Sequence, residues 1–448
     1  MSNPATPNLH EPSAPNSPPA KGEYPEGGRG FLPKLRLAEF KNKPAWQPTL
    51  LGKLARRVKN RNTRRAESRV LTNSAEHGVL DQREYFDKDI ATNTDNYFVV
   101  EKGDYVYNPR KSAAAPVGPI SKNKVGTGVM SPLYTVFRFH SEANDFFAHY
   151  FKSSHWHGYL RRVSNSGARH DRMAIANYDL MRMPIPIPSP PEQQKIADCL
   201  NSLDDLIAAE GRKLEALRRH KQGLMQQLFP RAGETVPRLR FPEFKDSPDW
   251  KKGKCLDIAD ILPGFGFPNR FQGNSHGQYP FYKVSDISQV VEGGNKYIRE
   301  ANNYIETDVL KEIRAKLVPA GTIIFAKIGE AIRSNRRVIT TIPAVIDNNT
   351  AGVKSKSKSC SDEFLFYLWS KVALSDHAGG VVPAVSKSAL ENIPLCYPSD
   401  LGEQQCIADF LSILDSLIGA QLTKLDALRA QKQGLMQQLF PSLEVQVK

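Results

Sequence analysis

Cysteine is sparse in this 448-residue chain, and no two of its five (Cys199, Cys255, Cys360, Cys396, Cys406) form a Cys-x-x-Cys pair. That spacing excludes the common zinc signatures and a disulfide framework, and it suits a reducing cytoplasm. No uninterrupted apolar run approaches the roughly 18 residues of a membrane helix. Residues 1–30, rich in Pro, Asn, Ser and Gly, lack the apolar stretch of a signal peptide and are expected to form a disordered tail. Acidic residues are outnumbered, 47 against 61 Lys and Arg, for a formal net charge of +14. Polyanions, nucleic acid first, are therefore the expected partners.

Catalytic signatures are missing too. There is no Gly-x-x-x-x-Gly-Lys-Ser/Thr loop, no Asx-Pro-Pro-aromatic tetrapeptide, no His-Glu-x-x-His and no Gly-x-Ser-x-Gly. Glu39-Phe40-Lys41 and Glu243-Phe244-Lys245 hold the Glu-x-Lys of many nucleases, but neither has a preceding Asp at the usual distance, and the structural reading is preferred. His155, His157 and His170 are expected as loop residues in basic surroundings. The remaining composition, 40% hydrophobic and 24% charged, is that of a globular protein with room for two to four domains.

What the chain has in abundance is itself. Glu192-Gln193-Gln194-Lys195-Ile196-Ala197-Asp198 returns as Glu403-Gln404-Gln405-Cys406-Ile407-Ala408-Asp409, and the likeness holds to Lys-Gln-Gly-Leu-Met-Gln-Gln-Leu-Phe-Pro at 221–230 and 432–441. Pro33-Lys34-Leu35-Arg36 likewise returns as Pro237-Arg238-Leu239-Arg240, each followed by a tryptophan, Trp46 or Trp250. The chain is two tandem halves, each a divergent block and a shared helix. Ile196, Leu200, Leu203, Ile207, Glu210, Leu214, Leu217, Lys221, Leu224 and Leu228 alternate steps of four and three. Ile407, Leu411, Leu414, Ile418, Gln421, Leu425, Leu428, Lys432, Leu435 and Leu439 repeat that seam. The pattern predicts coiled-coil helices of about 36 residues and roughly 55 Å, with the polar members fixing register. Ser189-Pro190-Pro191-Glu192 and Asp400-Leu401-Gly402-Glu403 supply caps with a capping-box Glu, and Pro230 and Pro441 end the helices.

The divergent blocks, about 41–183 and 246–393, mix strand-like and helical runs, each with a Gly opening an extended apolar segment at Gly103 or Gly321. Mixed α/β globules are expected. Their basic residues come in acid-poor runs: Lys53 to Arg65; then Arg110, Lys111, Lys122, Lys124 and Arg138; then Lys152, Arg161, Arg162, Arg169 and Arg172. The second block offers Lys327, Arg333, Asn335, Arg336 and Arg337. Lys and Arg neutralise phosphates, and Arg and Asn read base edges.

Two variable blocks alternating with two near-identical helices, the Pro-Ile-Pro-Ile-Pro-Ser-Pro-Pro-Glu-Gln-Gln run at 184–194 and the shared helix ending resemble the DNA-specificity subunit of type I restriction-modification enzymes. Gly103 to Asn108, Tyr279 to Asp286 (with Lys283 and Ser285) and Val385-Ser386-Lys387-Ser388 resemble segments of that family's target-recognition domains, while Ala174-Ile175-Ala176-Asn177 departs from the last of them. The resemblance implies an α+β fold: two globular mixed α/β target-recognition domains, separated and followed by two long helices packed as an antiparallel coiled coil with pseudo-two-fold symmetry. The expected order is tail 1–30, recognition domain 31–188, helix 189–230, recognition domain 231–398, helix 399–441 and tail 442–448. The implied role is non-catalytic: the chain binds a bipartite, asymmetric duplex site in the cytoplasm of a prokaryote and scaffolds two methylation subunits and the restriction subunits. It binds no cofactor itself; S-adenosylmethionine, ATP and Mg are used by those partners. The competing readings are a coiled-coil transcriptional regulator and a nuclease with an unrecognised centre.

Overall fold

The computed structural model describes residues 30–63, 66–87, 94–164 and 171–442. The N-terminal tail, Arg64, Arg65, Arg169 and His170 lie outside the described residues. Two helices of 39 residues, Pro190–Leu228 and Leu401–Leu439, carry the repeated sequence. The first opens on Pro190, with the Gln193 N–H donating to the Ser189 carbonyl at 3.0 Å. The second is capped by Asp400, whose Oδ1 accepts from the Gly402 N–H at 2.7 Å. Both stop short of Pro230 and Pro441, which lack the N–H a further turn would need.

The chain divides into two compact units. One joins residues up to Leu206 with those from Leu428 onward, and the other is Ile207–Ala427. In the first, Gln47–Leu50 pairs antiparallel with Pro184–Ile187. A four-stranded sheet runs in the order Ala55–Arg57, Thr135–Phe139, Tyr105–Tyr107, Ile120–Lys122, and all its pairings are antiparallel. Its aromatic core of Trp46, Tyr105, Phe137, Phe146, Tyr150 and Trp156 closes on Ile196 and Leu200 of the first helix, on Met436 and Leu439 of the second and on Phe440 just past its end.

The second unit follows the same plan with different residues. Lys251–Lys254 pairs with Pro394–Tyr397, as Gln47–Leu50 does with Pro184–Ile187. Its main sheet runs Ala259–Pro263, Thr350–Ser355, Ile323–Ala326, Arg337–Thr340, then Tyr297–Ile298 as a fifth strand. A separate three-stranded sheet joins Tyr304–Ile305, Tyr279–Tyr282 and Val345–Ile346. Gly103 and Gly321 stand at corresponding turns before Tyr105–Tyr107 and Ile323–Ala326, with φ of 97° and 79°, a conformation that favours glycine. The core gathers Trp250, Phe325, Phe364, Tyr367 and Trp369 around Leu228 of the first helix, Phe229 just past its end, and Ile407, Leu411 and Leu414 of the second.

Glu192 and Glu403, expected as capping-box residues, do something else. Each carboxylate is 1% exposed and takes a two-pronged bond from an arginine of the preceding repeat. Arg36 donates from Nε and Nη2 to Glu192 at 2.8 and 2.7 Å, and Trp46 Nε1 adds a third bond at 3.1 Å. Arg240 and Trp250 repeat this on Glu403 at 2.8, 2.8 and 3.0 Å. The spare guanidinium protons go to the carbonyls of Lys43 and Pro44, or of Ser247 and Pro248. One residue earlier, the Leu35 N–H donates to Gln438 O and the Leu239 N–H to Gln227 O, each at 3.0 Å. Each short repeat thus ties the start of one long helix to the end of the other.

The polar seam residues satisfy one another. In the second unit Gln421 meets Glu210 and Lys221 meets Asp415, so the number rises along one helix as it falls along the other, and the two run antiparallel. In the first unit Lys432, the repeat-equivalent of Lys221, meets Asp204, that of Asp415. Ile196, Leu200, Leu214, Ile407, Leu411, Leu414 and Leu425 are buried, and Leu203, Ile207, Leu217, Ile418 and Leu428 are half-buried. Leu401–Leu439 is long and apolar enough, by length and composition alone, to cross a membrane, with an 18-residue stretch of mean hydropathy 1.4. Part of that apolar content packs into the second core through Ile407, Ala408, Leu411 and Leu414, while Ile413 and Leu417 are exposed.

Candidate nucleic-acid interface

In the first unit the fold brings Arg110, Lys111 and Arg172 together. Arg110 and Arg172 form an isolated antiparallel bridge, and the Lys111 N–H donates to the Asp171 carbonyl at 2.8 Å. One carboxylate, Asp171, lies 3.9 Å from Arg110 and 4.0 Å from Arg172. Arg110 remains 69% exposed. Asn108 shapes this loop: its amide donates to Asn73 O at 2.9 Å and its Oδ1 accepts from the Arg110 N–H at 3.0 Å. Gly118 lies against it, where a Cβ would fall 2.0 Å from Asn108 O. Lys122 is largely covered and bonds Asp145 at 2.7 Å; Lys124 and Arg162 face solvent. Burial raises the Asp145 pKa, but the bond and charge of Lys122 outweigh it and hold the carboxyl below its ordinary value.

In the second unit backbone bonds set the stretch that leads into Lys387 beside Lys327. The Val385 N–H donates to Lys327 O at 2.9 Å, the Gly329 N–H to Pro383 O at 2.8 Å, and Gly379 and Ala384 bond reciprocally. Ser386 caps the helix Lys387–Glu391, accepting from the Ala389 N–H at 3.1 Å. Lys387 is 62% exposed, and Arg333 is 72% exposed beside Glu330. Arg336 pairs with Glu292 at 2.8 Å. Lys283 bonds Gln272 at 2.7 Å, and Ser285 is exposed in the first turn of Val284–Glu292.

Two candidates bond inward to the same stretch of backbone. Arg337 is 5% exposed, and its guanidinium donates to the carbonyls of Trp369 and Val372 at the end of helix Asp362–Ser370. Burial pushes its pKa down to about 9. Asn335, at φ 52°, donates to Val372 O at 3.0 Å. Arg337 turns its side chain into the core, whereas Asn335 is half-buried. A run of basic residues in sequence carries no mark of which member turns inward. Among the described residues no cluster of three His, Cys, Asp or Glu could hold a metal.

The family described as "Type I restriction modification DNA specificity domain" matches residues 71–219 and 248–429, and the chain belongs to it. Among characterised proteins it is similar to the type I restriction enzyme MjaVIII specificity subunit of Methanocaldococcus jannaschii, 26% identical over 57% of this chain and 61% of that one. It is also similar to the putative MjaX specificity subunit of the same organism, 24% identical over 60% of this chain and 61% of that one. The chain thus spans about 61% of the length of these curated relatives. Among solved structures, the type I restriction-modification S subunit from M. genitalium superposes with a TM-score of 0.55 at 13% identity, covering 92% of this chain and 100% of that one. A chain from a study of complex assembly and conformational transition of the type I R-M system gives 0.53 at 15% identity, covering 89% and 98%. At these identities the likeness shows the fold.

Proposed function

We propose that this chain is the DNA-reading subunit of a type I restriction-modification complex. Each globular domain takes one half of a split, asymmetric duplex site, and the long helices hold the unread gap between the halves. Two methylation subunits and the restriction subunits dock on this scaffold in a prokaryotic cytoplasm, and they bind the S-adenosylmethionine, ATP and Mg used in the chemistry. The chain itself is non-catalytic. One observation carries this reading: the mounts are duplicated side chain for side chain, Arg36, Trp46 and Glu192 against Arg240, Trp250 and Glu403, while the solvent-facing basic residues differ. Two different readers on two copies of one mount suit an asymmetric target, where a homodimer would require a palindrome.

The test is methylation-motif mapping with the full chain and its methylation subunits. Arg110→Ala and Arg172→Ala are expected to weaken or relax only one half of the motif, and Lys327→Ala and Lys387→Ala only the other. Each lost base contact is worth about 1–3 kcal/mol, and each lost phosphate contact lowers the salt slope by about one. Arg337→Met serves as the contrast, with lost stability and an unchanged motif. A first-domain change that alters both halves equally defeats the two-reader arrangement.

A further inference from the structure

Lys296 lies on the turn between helix Val284–Glu292 and strand Tyr297–Ile298, with its side chain only 8% exposed. Its ammonium donates to Glu363 Oε2 at 2.8 Å, to the Tyr367 hydroxyl at 2.8 Å and to Ser412 Oγ of the second long helix at 3.1 Å. All three of its protons are placed. The Tyr367 hydroxyl donates in turn to Asp415 Oδ2 at 2.6 Å, and Asp415 pairs with Lys221 of the first helix. Ser412 and Asp415 stand three residues apart, on one helix face. The turn itself lies close against that helix: a Cβ on Gly294 would come within 2.8 Å of Leu422 Cδ2.

The first unit places the same kind of junction on the same two helix positions, from unrelated residues. Asn201 and Asp204 are the repeat-equivalents of Ser412 and Asp415. His149 Nε2 lies 2.9 Å from Asn201 Oδ1. Asp204 pairs with Lys432 and stands 3.8 Å from Lys152. Two blocks with little sequence in common thus set a basic side chain at 201 or 412 and a second polar group at 204 or 415. A purely apolar contact would hold a domain on a helix as firmly, because burying an ammonium costs free energy that its partners must offset. What bonds of fixed length and direction add is a single orientation.

We propose that Lys296 is a positioning residue, fixing how the second recognition domain stands on the helix pair and so which spacing between half-sites the complex accepts. This rests on the DNA-reading function proposed above. One base pair displaces a half-site by roughly 3.4 Å along the duplex and by about a tenth of a turn around it, so a domain free to rock engages neighbouring spacings. The experiment uses the full chain with its methylation subunits on duplexes of constant half-sites and a spacer changed by single base pairs. Lys296→Met is expected to lose about tenfold of the discrimination between the preferred spacer and its neighbours, with the half-site bases unchanged and Lys296→Arg restoring part of it. Reduced stability alone lowers activity on all spacers together and leaves their ratio intact, which overturns the proposal. Where Lys296→Met does not fold, Ser412→Ala and Tyr367→Phe decide, and wild-type spacing in both overturns it. A wild-type complex that methylates no two-part site overturns the DNA-reading function and this inference with it; a specific complex whose variants keep wild-type spacing overturns the inference alone.

Discussion

Gln421 donates its side-chain amide to Glu210, the residue that holds its own place in the other repeat, at 2.6 Å to Oε2 and 3.1 Å to the backbone carbonyl. Lys424 completes the group on Glu210 Oε1. Where repeat-equivalents meet, perfect duplication would set glutamate against glutamate or glutamine against glutamine. The chain instead has one charged and one neutral member, joined by a charge-assisted bond.

Gln421→Glu is therefore expected to lower the urea midpoint at pH 7, because two carboxylates face each other and an amide donor is lost. Like charges raise each other's pKa, so the penalty is present while both are ionised and is relieved as the pH falls through the raised values. Unfolding curves at pH 7 and pH 5 should show the variant approaching wild type at the lower pH. Equal midpoints at pH 7 would remove the pair from any account of the seam.

The Arg36–Glu192 and Arg240–Glu403 pairs make a second prediction. Glu192 sits in a nearly sealed site, and its hydrogen bond, opposed by burial, raises the Arg36 pKa. Arg36→Met strands that carboxylate and is expected to cost about 3–5 kcal/mol, measured by denaturant unfolding of the full chain. Combining it with Glu192→Gln should cost less than the sum of the two single changes, since residues in one network couple. Additive losses would mean that the pair is incidental.

Acid sensitivity gives a third. Burial holds the His149 pKa down at about 4, against the opposing bond to Asn201. A histidine with a depressed folded pKa binds its proton more readily unfolded, so stability falls as the pH drops from about 6.5 towards 4. His149→Gln should flatten that fall, although His157, also depressed to about 4 by burial, retains part of it. Equilibrium unfolding at pH 7, 6 and 5 measures the difference. Asp204, held low by Lys432 and Lys152 against its burial, loses its contribution only below the ordinary carboxylate range and leaves this window clear.

The long helices were legible because their signal is periodic: leucines at steps of four and three declare a buried face without reference to anything distant. The tie between Arg36 and Glu192 was half legible. Both were visible as members of repeats, but nothing local says that residues so far apart share two hydrogen bonds, and the capping-box reading of Glu192 followed the nearer pattern. The common sheet order of the two blocks was hidden, since it is written in backbone pairing, which Tyr105–Tyr107 and Ile323–Ala326 satisfy with different side chains. Arg337 shows the limit for the candidate site. Its neighbours in the run, Arg333 and Arg336, are exposed and half-exposed, and the inward turn of Arg337 is set by the strand it begins.

The ties at Leu35 and Leu239 have a consequence for synthesis. Residues 207–427, which make the second unit, are one unbroken stretch of chain, whereas the first unit draws on two separate stretches: Trp46 packs in the same core as Met436, Leu439 and Phe440. On the ribosome the core around Trp46 must wait for Met436, Leu439 and Phe440 before it can close, while the second unit has all of its parts by Ala427. The usual order, in which the earlier domain folds first, is therefore expected to be inverted. A stop codon between Leu401 and Met436 is therefore expected to injure the core built around Trp46, although it leaves every residue of that block in place.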